Sequence, residues 1–418
     1  MMRFLLRDRL FRHGSVMFIG TTLSGVLNYV YQVYMGRALG PEQYGVFGAL
    51  FAIFYMTTII AQTLNTSAAR FAAELVAKGH ALGGFLRGGI KRMVVMGSLS
   101  AAATLLLLGP LTRMLKISQK EPVLVLALML FLVWLRPITE GALRGLQRFG
   151  ALSALLISSS AGRFATGIPL VMLGAGVTGA LAGVVFGQVV PLLAGLVLLR
   201  EHLRGASGSF SFSSFYTYSL PVLVAMVCFS VPANLDVVLA KYFFPAKEAG
   251  LYTSASVLGK ITFFFPSAIY AVMFPMIAEA HVRGRSAGGI LLRALAYTGV
   301  LSGGVALTYL LFPGAVLSVF GSRFAEAMPL VAPYGFAMLF FSLSSVLMQY
   351  HLAVKNMGYA GVMLGFTLLE VALLMLSSSS PLALVRALLA GNLLLLLGSV
   401  AYTLRTLRAA PSPSPPAS

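Results

Sequence analysis

Twelve apolar windows, each close to twenty residues long and joined by short connections that carry most of the charge, constrain this chain more than anything else in it. They fall at about 14–36, 44–68, 93–112, 121–141, 151–173, 177–199, 215–240, 250–276, 290–312, 328–350, 359–377 and 381–404. A helix of about 20 apolar residues crosses the hydrocarbon core of a bilayer. Inside lipid a helix satisfies its own backbone hydrogen bonds, so apolar windows of this length imply helical spans. Composition agrees: 58% of the residues are hydrophobic and 10% charged, against about 45–50% and 25% in soluble domains. The chain is therefore expected to be an all-α polytopic membrane protein of about 12 transmembrane helices. At roughly 35 residues per span and connection, 418 residues leave no room for a soluble catalytic domain.

The charges give a second, independent reading of the topology. With the N-terminus inside, the cytoplasmic segments hold twenty basic residues: Arg3 to Arg12, Arg70 to Arg92, Arg136 to Arg148, Arg200 and Arg204, Arg283 to Arg293, Lys355, and Arg405 with Arg408. The outer segments hold seven: Arg37, Arg113, Lys116, Lys120, Lys241, Lys247 and Arg323. The remaining three, Arg163, Lys260 and Arg386, lie within spans. This asymmetry places both termini in the cytoplasm, in the cell membrane. The basic start resembles a secretion signal, but its apolar stretch is too long and is followed by Gly36-Arg37-Ala38-Leu39-Gly40 rather than a small-residue cleavage site, so it is read as an uncleaved first span. The net charge of +19 reports membrane topology, and no nucleic-acid partner is implied.

An internal repeat is visible at half the chain length. Arg37-Ala38-Leu39-Gly40-Pro41-Glu42 aligns with Lys241-Tyr242-Phe243-Phe244-Pro245-Ala246, and Tyr44-Gly45-Val46-Phe47 lies near Ala249-Gly250-Leu251-Tyr252 with one residue inserted. At an offset of 205, Ala73-Glu74 matches Ala278-Glu279 and Lys78-Gly79 matches Arg283-Gly284. Both matches flank a span. Two halves of six spans share one orientation, a parallel repeat about an axis along the membrane normal. The expected lobes are 1–205 and 206–408, joined through the Gly- and Ser-rich stretch 201–214, with 409–418 a disordered Pro-rich tail. The Gly40-Pro41 and Phe244-Pro245 pairs are expected to break their helices, with Arg37 and Lys241 at matched places on the outer rim.

These residues resemble a known family. The first span ending in Gly36-Arg37-Ala38-Leu39-Gly40-Pro41-Glu42-Gln43-Tyr44-Gly45, and the seventh with Tyr218-Ser219-Leu220-Pro221, Leu235-Asp236 and Glu248-Ala249-Gly250-Leu251-Tyr252, are similar to Wzx-type oligosaccharide flippases. Those form the polysaccharide-transporter branch of the superfamily that also holds multidrug and toxin extruders (MATE) and lipid II flippases. The resemblance implies two pseudo-symmetric six-helix bundles around a V-shaped cleft. It also implies movement of a lipid-linked, negatively charged glycan from the cytoplasmic to the outer leaflet, by a monomeric unit beside glycan polymerase or glycosyltransferase machinery. There are departures. Lipid II flippases usually carry two further C-terminal spans, and cation-coupled extruders often carry an acid in a central span of the first half. Here no acid lies between Gly14 and Met35, and the second span has none before Glu74. The alternative reading is a cation-coupled exporter of amphipathic small molecules.

Ionisable residues inside the spans mark the candidate site, because a charge at mid-bilayer costs about 2.5–3.5 kcal/mol on insertion scales. Counting along the helices puts Arg163, Lys260 and Glu370 near mid-depth and Arg136 in the inner third of the fourth span. Arg163, Lys260 and Arg136 are the candidate substrate-binding cations, suited to a phosphate or diphosphate headgroup in a shared cleft. Arg37 and Asp236 are the candidate outer gate, and Glu370 is a candidate proton or ion-pair site. Two readings stay open for the cations: Arg163 either meets substrate or pairs within its own half, and Lys260 either meets substrate or pairs with Asp236 or Glu370.

Other features have plainer readings. Gly179, Gly183 and Gly187 form a small-residue stripe for close helix packing. Prolines 169, 191, 221, 232, 266 and 275 kink spans or serve as hinges. Phe263 to Phe265 face the core or lipid. Tyr29, Tyr31, Tyr34 and Tyr44 fit an interfacial belt, and His281 and His351 fall at loop edges as solvated groups. Gly259-Lys260 lacks the earlier glycine and the following hydroxyl of a phosphate loop. One cysteine, Cys228, cannot build a zinc or iron–sulfur site. Neither cofactor nor metal is called for, and the chain is not read as an enzyme.

Overall fold

The structure, a computed structural model, describes residues 9–205, 210–283, 287–354, 356 and 358–409. Arg3 and Arg7 of the basic start, part of the 201–214 connection, Lys355 and the Pro-rich tail lie outside the described residues. Among those described, all regular structure is helical, and nine helices are long and apolar enough to cross a membrane.

Helix α1 (Arg9–Ala77) holds the first two windows. An unbroken helix of 69 residues would run about 100 Å at ~1.5 Å per residue, far more than a bilayer's thickness. It is divided at Gly40, whose φ of 70° and ψ of 170° are non-helical, a left-handed geometry that glycine adopts without Cβ strain. Pro41 follows at once. The matching break lies between α8 (Phe212–Phe243) and α9 (Ala246–Phe264), where Pro245 stands at the N-cap of α9. Both Pro-marked turns thus form where the repeat places them.

Between these lie α2 (Gly83–Leu106), the short α3 (Leu108–Met114), α4 (Glu121–Gly145), α5 (Phe149–Met172), α6 (Gly176–Leu198) and the short α7 (Arg200–Arg204). After α9 come α10 (Ser267–Val282), α11 (Gly288–Leu311), α12 (Pro313–Leu317), two 3₁₀ turns at Ser318–Phe320 and Ser322–Ala327, α13 (Met328–Ala353), α14 (Gly358–Leu376) and α15 (Pro381–Ala409). The eighth window is not one helix. It is split into α9 and α10 at Pro266, which has no N–H to continue the ladder. Pro169 and Pro191 sit inside helices that continue through them.

The chain divides into two compact units, Met1–Ser230 and Val231–Ser418. In the first, α4 packs on α1 and α2, and α5 packs on α6. The glycine stripe lies in the α5–α6 contact: a Cβ on Gly183 would lie 2.5 Å from the Cα of Gly167. Only bare backbone allows that approach. Tyr31 fills the adjoining space and donates its hydroxyl to the Ala180 carbonyl at 2.7 Å. Tyr31 fills the gap beside these glycines and is fully buried, as is Tyr44, so neither belongs to an interfacial belt.

In the second unit α13 is central, with α9, α11 and α15 packed around it. Tyr309 donates to the Leu258 carbonyl at 2.6 Å and Ser302 to the Thr262 carbonyl at 2.8 Å, tying α11 to α9. Phe263 is buried against Phe341 while Phe264 and Phe265 are exposed. His351 is not solvated. Because α13 runs on to Ala353, its ring is carried in against α14 and α15, stacked on Tyr359 at 4.4 Å with Nε2 2.9 Å from Thr403 Oγ1.

Candidate functional site

Arg163 lies in the middle of α5 and is only 7% exposed. Its Nη1 donates to Asn28 Oδ1 at 2.6 Å, and its guanidinium carbon lies 5.7 Å from the Tyr31 ring and 5.8 Å from the Phe51 ring. All three neighbours come from α1. Arg163 thus pairs within its own half, with a neutral amide and two aromatic faces; no carboxylate is bonded to it among the described residues. Aromatic faces attract a desolvated cation but accept no in-plane N–H, and Nε has no hydrogen-bond partner. Such a group is chemically ready for an oxyanion.

Arg136, on α4, is already engaged. Its Nη2 and Nε lie 2.6 and 2.7 Å from a single oxygen, Oε1 of Glu140, and Asn65 Nδ2 reaches the other oxygen at 3.1 Å. The remaining ion pairs among the described residues, Lys78–Glu74, Lys247–Glu326 and Arg283–Glu279, are all well exposed. Arg136 is near enough to Arg163 for the two charges to interact unfavourably.

The second unit carries its own polar cluster. Lys260, half-buried on α9, donates to Asn234 Oδ1 at 3.2 Å. It feels the charge of Asp236 without bonding to it. Asp236 is 0% exposed; its Oδ2 accepts hydrogen bonds from Tyr252 at 2.9 Å and Tyr334 at 2.6 Å, and its Oδ1 has no partner. Ser256 lies 2.8 Å from the Tyr334 hydroxyl. On α14, Glu370 is 1% exposed and takes one long bond of 3.5 Å from Asn392 of α15 on Oε1, with Oε2 unpartnered. Gly391 lets α15 approach: a Cβ there would lie 2.7 Å from the Glu370 side chain.

The proposed gate residues are differently placed: Arg37 is exposed on α1, whereas Asp236 is sealed in its cradle of tyrosines. Lys241, expected on the outer rim as the repeat partner of Arg37, is buried. The structure adds Asn28, Asn65, Glu140, Asn234, Tyr252, Tyr334 and Asn392 to the residues singled out by charge. Asn28 and Asn65 are polar residues within apolar windows and Glu140 stands four residues after Arg136, signals that a search for net charge in the spans passes over. Among the described residues no group of His, Cys, Asp and Glu is arranged to hold a metal.

No curated protein matches the chain significantly by sequence. Solved structures match its fold. An inward-facing multidrug resistance MATE family transporter of the MOP superfamily superposes with a TM-score of 0.80 at 14% identity, over 93% of this chain and 96% of that one. The lipid II flippase MurJ in an inward closed conformation gives 0.75 at 14% identity, over 93% and 87%. A MOP superfamily transporter from Pyrococcus furiosus, described as having a binding pocket of reverse polarity, gives 0.63 at 16% identity, over 97% of each chain. At these identities the likeness establishes the MATE-like architecture. The sequence itself matches the polysaccharide biosynthesis protein family over residues 10–281, well over half of its length. The chain is therefore a multi-pass membrane protein with the fold of MOP-superfamily transporters, and it belongs to the polysaccharide biosynthesis protein family.

Proposed function

We propose that the chain is a flippase that moves lipid-linked oligosaccharide or polysaccharide repeat units from the cytoplasmic to the outer leaflet by alternating access. The observation that carries this reading is Arg163, buried at mid-helix with neutral partners and an unfilled Nε–H. A buried cation without a carboxylate is costly unless something else supplies the negative charge, and the anionic linkage of a lipid-linked glycan does so. Lys260 plays the corresponding part in the second unit, held by an amide rather than an ion pair. The lobes are 1–205 and 206–408, both termini are cytoplasmic, and the transport unit is a monomer in the cytoplasmic membrane that works without a cofactor and receives its load from glycan-assembling enzymes. Family membership supports the substrate class, and the fold shared with a lipid II flippase supports the leaflet-to-leaflet movement.

A second reading, a cation-coupled exporter of amphipathic small molecules, is favoured by the MATE likeness and by the sealed acids Asp236 and Glu370. One experiment separates the two. In a strain lacking its own exporter, Arg163→Ala and Lys260→Ala are expected to abolish glycan export at normal membrane levels. Arg163→Lys is expected to retain part of it, since a point charge survives while the planar fork does not. Full complementation by both alanine variants, together with resistance to cationic dyes conferred by the wild type, would sink the flippase reading in favour of the exporter.

A further inference from the structure

The Arg136–Glu140 pair has a geometry that a permanent structural ion pair does not need. Both guanidinium bonds, from Nε and Nη2, fall on the one oxygen Oε1. A planar fork facing a carboxylate or phosphate is best satisfied with one N–H on each of two oxygens, and here the second oxygen is turned aside to Asn65 Nδ2. The pair is also reachable, with 19% of the Arg136 side chain and 10% of the Glu140 side chain exposed. An arriving anion with two free oxygens can offer Arg136 better geometry than its present partner does.

The displaced carboxylate would not be stranded. Glu140 stands four residues from Arg136 on one side and four from Arg144 on the other, so the three share a face of α4. Arg136 is paired with Glu140, Asn65 of α1 is its neutral partner, and Arg144 is near enough to interact with its charge. If Glu140 turns away from Arg136, it keeps Asn65 and the field of Arg144. What it uncovers is a second cation within electrostatic reach of Arg163, which itself has no acid. Two arginines repel each other unless a multiply charged anion sits near both.

From this we infer that Glu140 is a specificity-determining residue: a displaceable counter-ion that occupies Arg136 until an anion of at least two negative charges replaces it. The inference rests on the flippase reading and deepens it, because it assigns to one residue the discrimination between headgroups of one charge and of two or more. A monoanion would replace the charge that Glu140 supplies and add none toward Arg163. A diphosphate gains bidentate geometry and compensates the Arg136–Arg163 repulsion as well.

The test uses the full chain in detergent with two probes, farnesyl diphosphate and farnesyl methyl phosphate, a diester that carries a single charge where a monoester would carry nearly two, titrated against wild type and Glu140→Gln. The glutamine keeps an acceptor for Arg136. Its amide can donate to the presently unpartnered Oδ1 of Asn65 once that side chain flips, so the variant is expected to fold, which its melting temperature checks. Wild type should prefer the diphosphate strongly. In Glu140→Gln, binding of the singly charged diester should tighten about tenfold or more, the worth of a charge-assisted bond no longer competed for, and tighten more than diphosphate binding does, narrowing the preference. Glu140→Ala, which removes the competing carboxylate altogether, should narrow it likewise. An unchanged preference in both variants, or weaker binding of both probes, overturns the inference while leaving the flippase reading intact. Loss of response to Arg136→Gln and Arg163→Gln, or a wild type that binds neither probe, removes the flippase site and this inference with it.

Discussion

Arg163 and Asp236 show two ways in which this chain keeps a charge away from water. Arg163 has its guanidinium beside two aromatic rings and one amide, which leaves part of its hydrogen-bonding capacity open. Asp236 receives two tyrosine hydroxyls on the same oxygen and is closed off. The difference leads to different expectations under mutation. Tyr334→Phe removes the 2.6 Å bond to Asp236 and the partner of Ser256 together. A bond to a charged group is worth about 1.5–3 kcal/mol, so the melting temperature in detergent should fall by several degrees. Tyr252→Phe, which loses only a 2.9 Å bond, should cost less. Equal melting of all three proteins would mean that the tyrosines do not hold Asp236.

At the level of elements, glycine position decides how close helices come. In α6 a Cβ on Gly183 would collide with the Gly167 backbone of α5 at 2.5 Å, and overpacking of this kind costs about 1–3 kcal/mol. Gly25 in α1 has nothing within 4 Å of its would-be Cβ, and alanine there gains up to about 1 kcal/mol in helix propensity. Gly183→Ala is therefore expected to melt below wild type and Gly25→Ala at or above it, in parallel thermal scans. A Gly183→Ala protein as stable as wild type would show that α5 and α6 are not in backbone contact. The breaks at Gly40 and Pro245 follow the same logic of backbone chemistry: one needs a residue free of Cβ, the other a residue that cannot donate.

For the whole molecule, the sign of the cargo sets the energetics of the proposed transport. A cytoplasm that is negative inside favours outward movement of an anion by about 2.3 kcal/mol per charge per 100 mV, so a dianion crossing the full field gains roughly 4–5 kcal/mol per 100 mV. Collapsing the potential in reconstituted vesicles is expected to stop transport of a fluorescent polyprenyl diphosphate. On the proposed mechanism Glu370, 1% exposed with one oxygen unpartnered, adds a secondary proton site, and Glu370→Gln should weaken transport several-fold without abolishing it. Undiminished transport at zero potential and without ion gradients, but dependent on ATP, would refute this energetic account.

What the sequence determined by itself is what a bilayer forces into one dimension. Window length follows from hydrocarbon thickness, the helical state from the need to satisfy every backbone group locally, and the choice of Arg163, Lys260 and Glu370 as candidates from the rarity of charge in apolar runs. The Gly40-Pro41 and Phe244-Pro245 turns were legible for the same reason, because their causes are local. The partners were not. Asn28 meets Arg163 across 135 residues and Asn65 meets Glu140 across 75, and which side chains meet depends on how each helix is rotated about its axis. Rotation also carried Tyr31, Tyr44 and His351 into the interior, against the reading of their sequence positions. In an apolar helix nearly every face is hydrophobic, so no periodic pattern announces the inward side; packing of glycine against glycine and tyrosine against gap decides it, and only the tertiary structure holds that information.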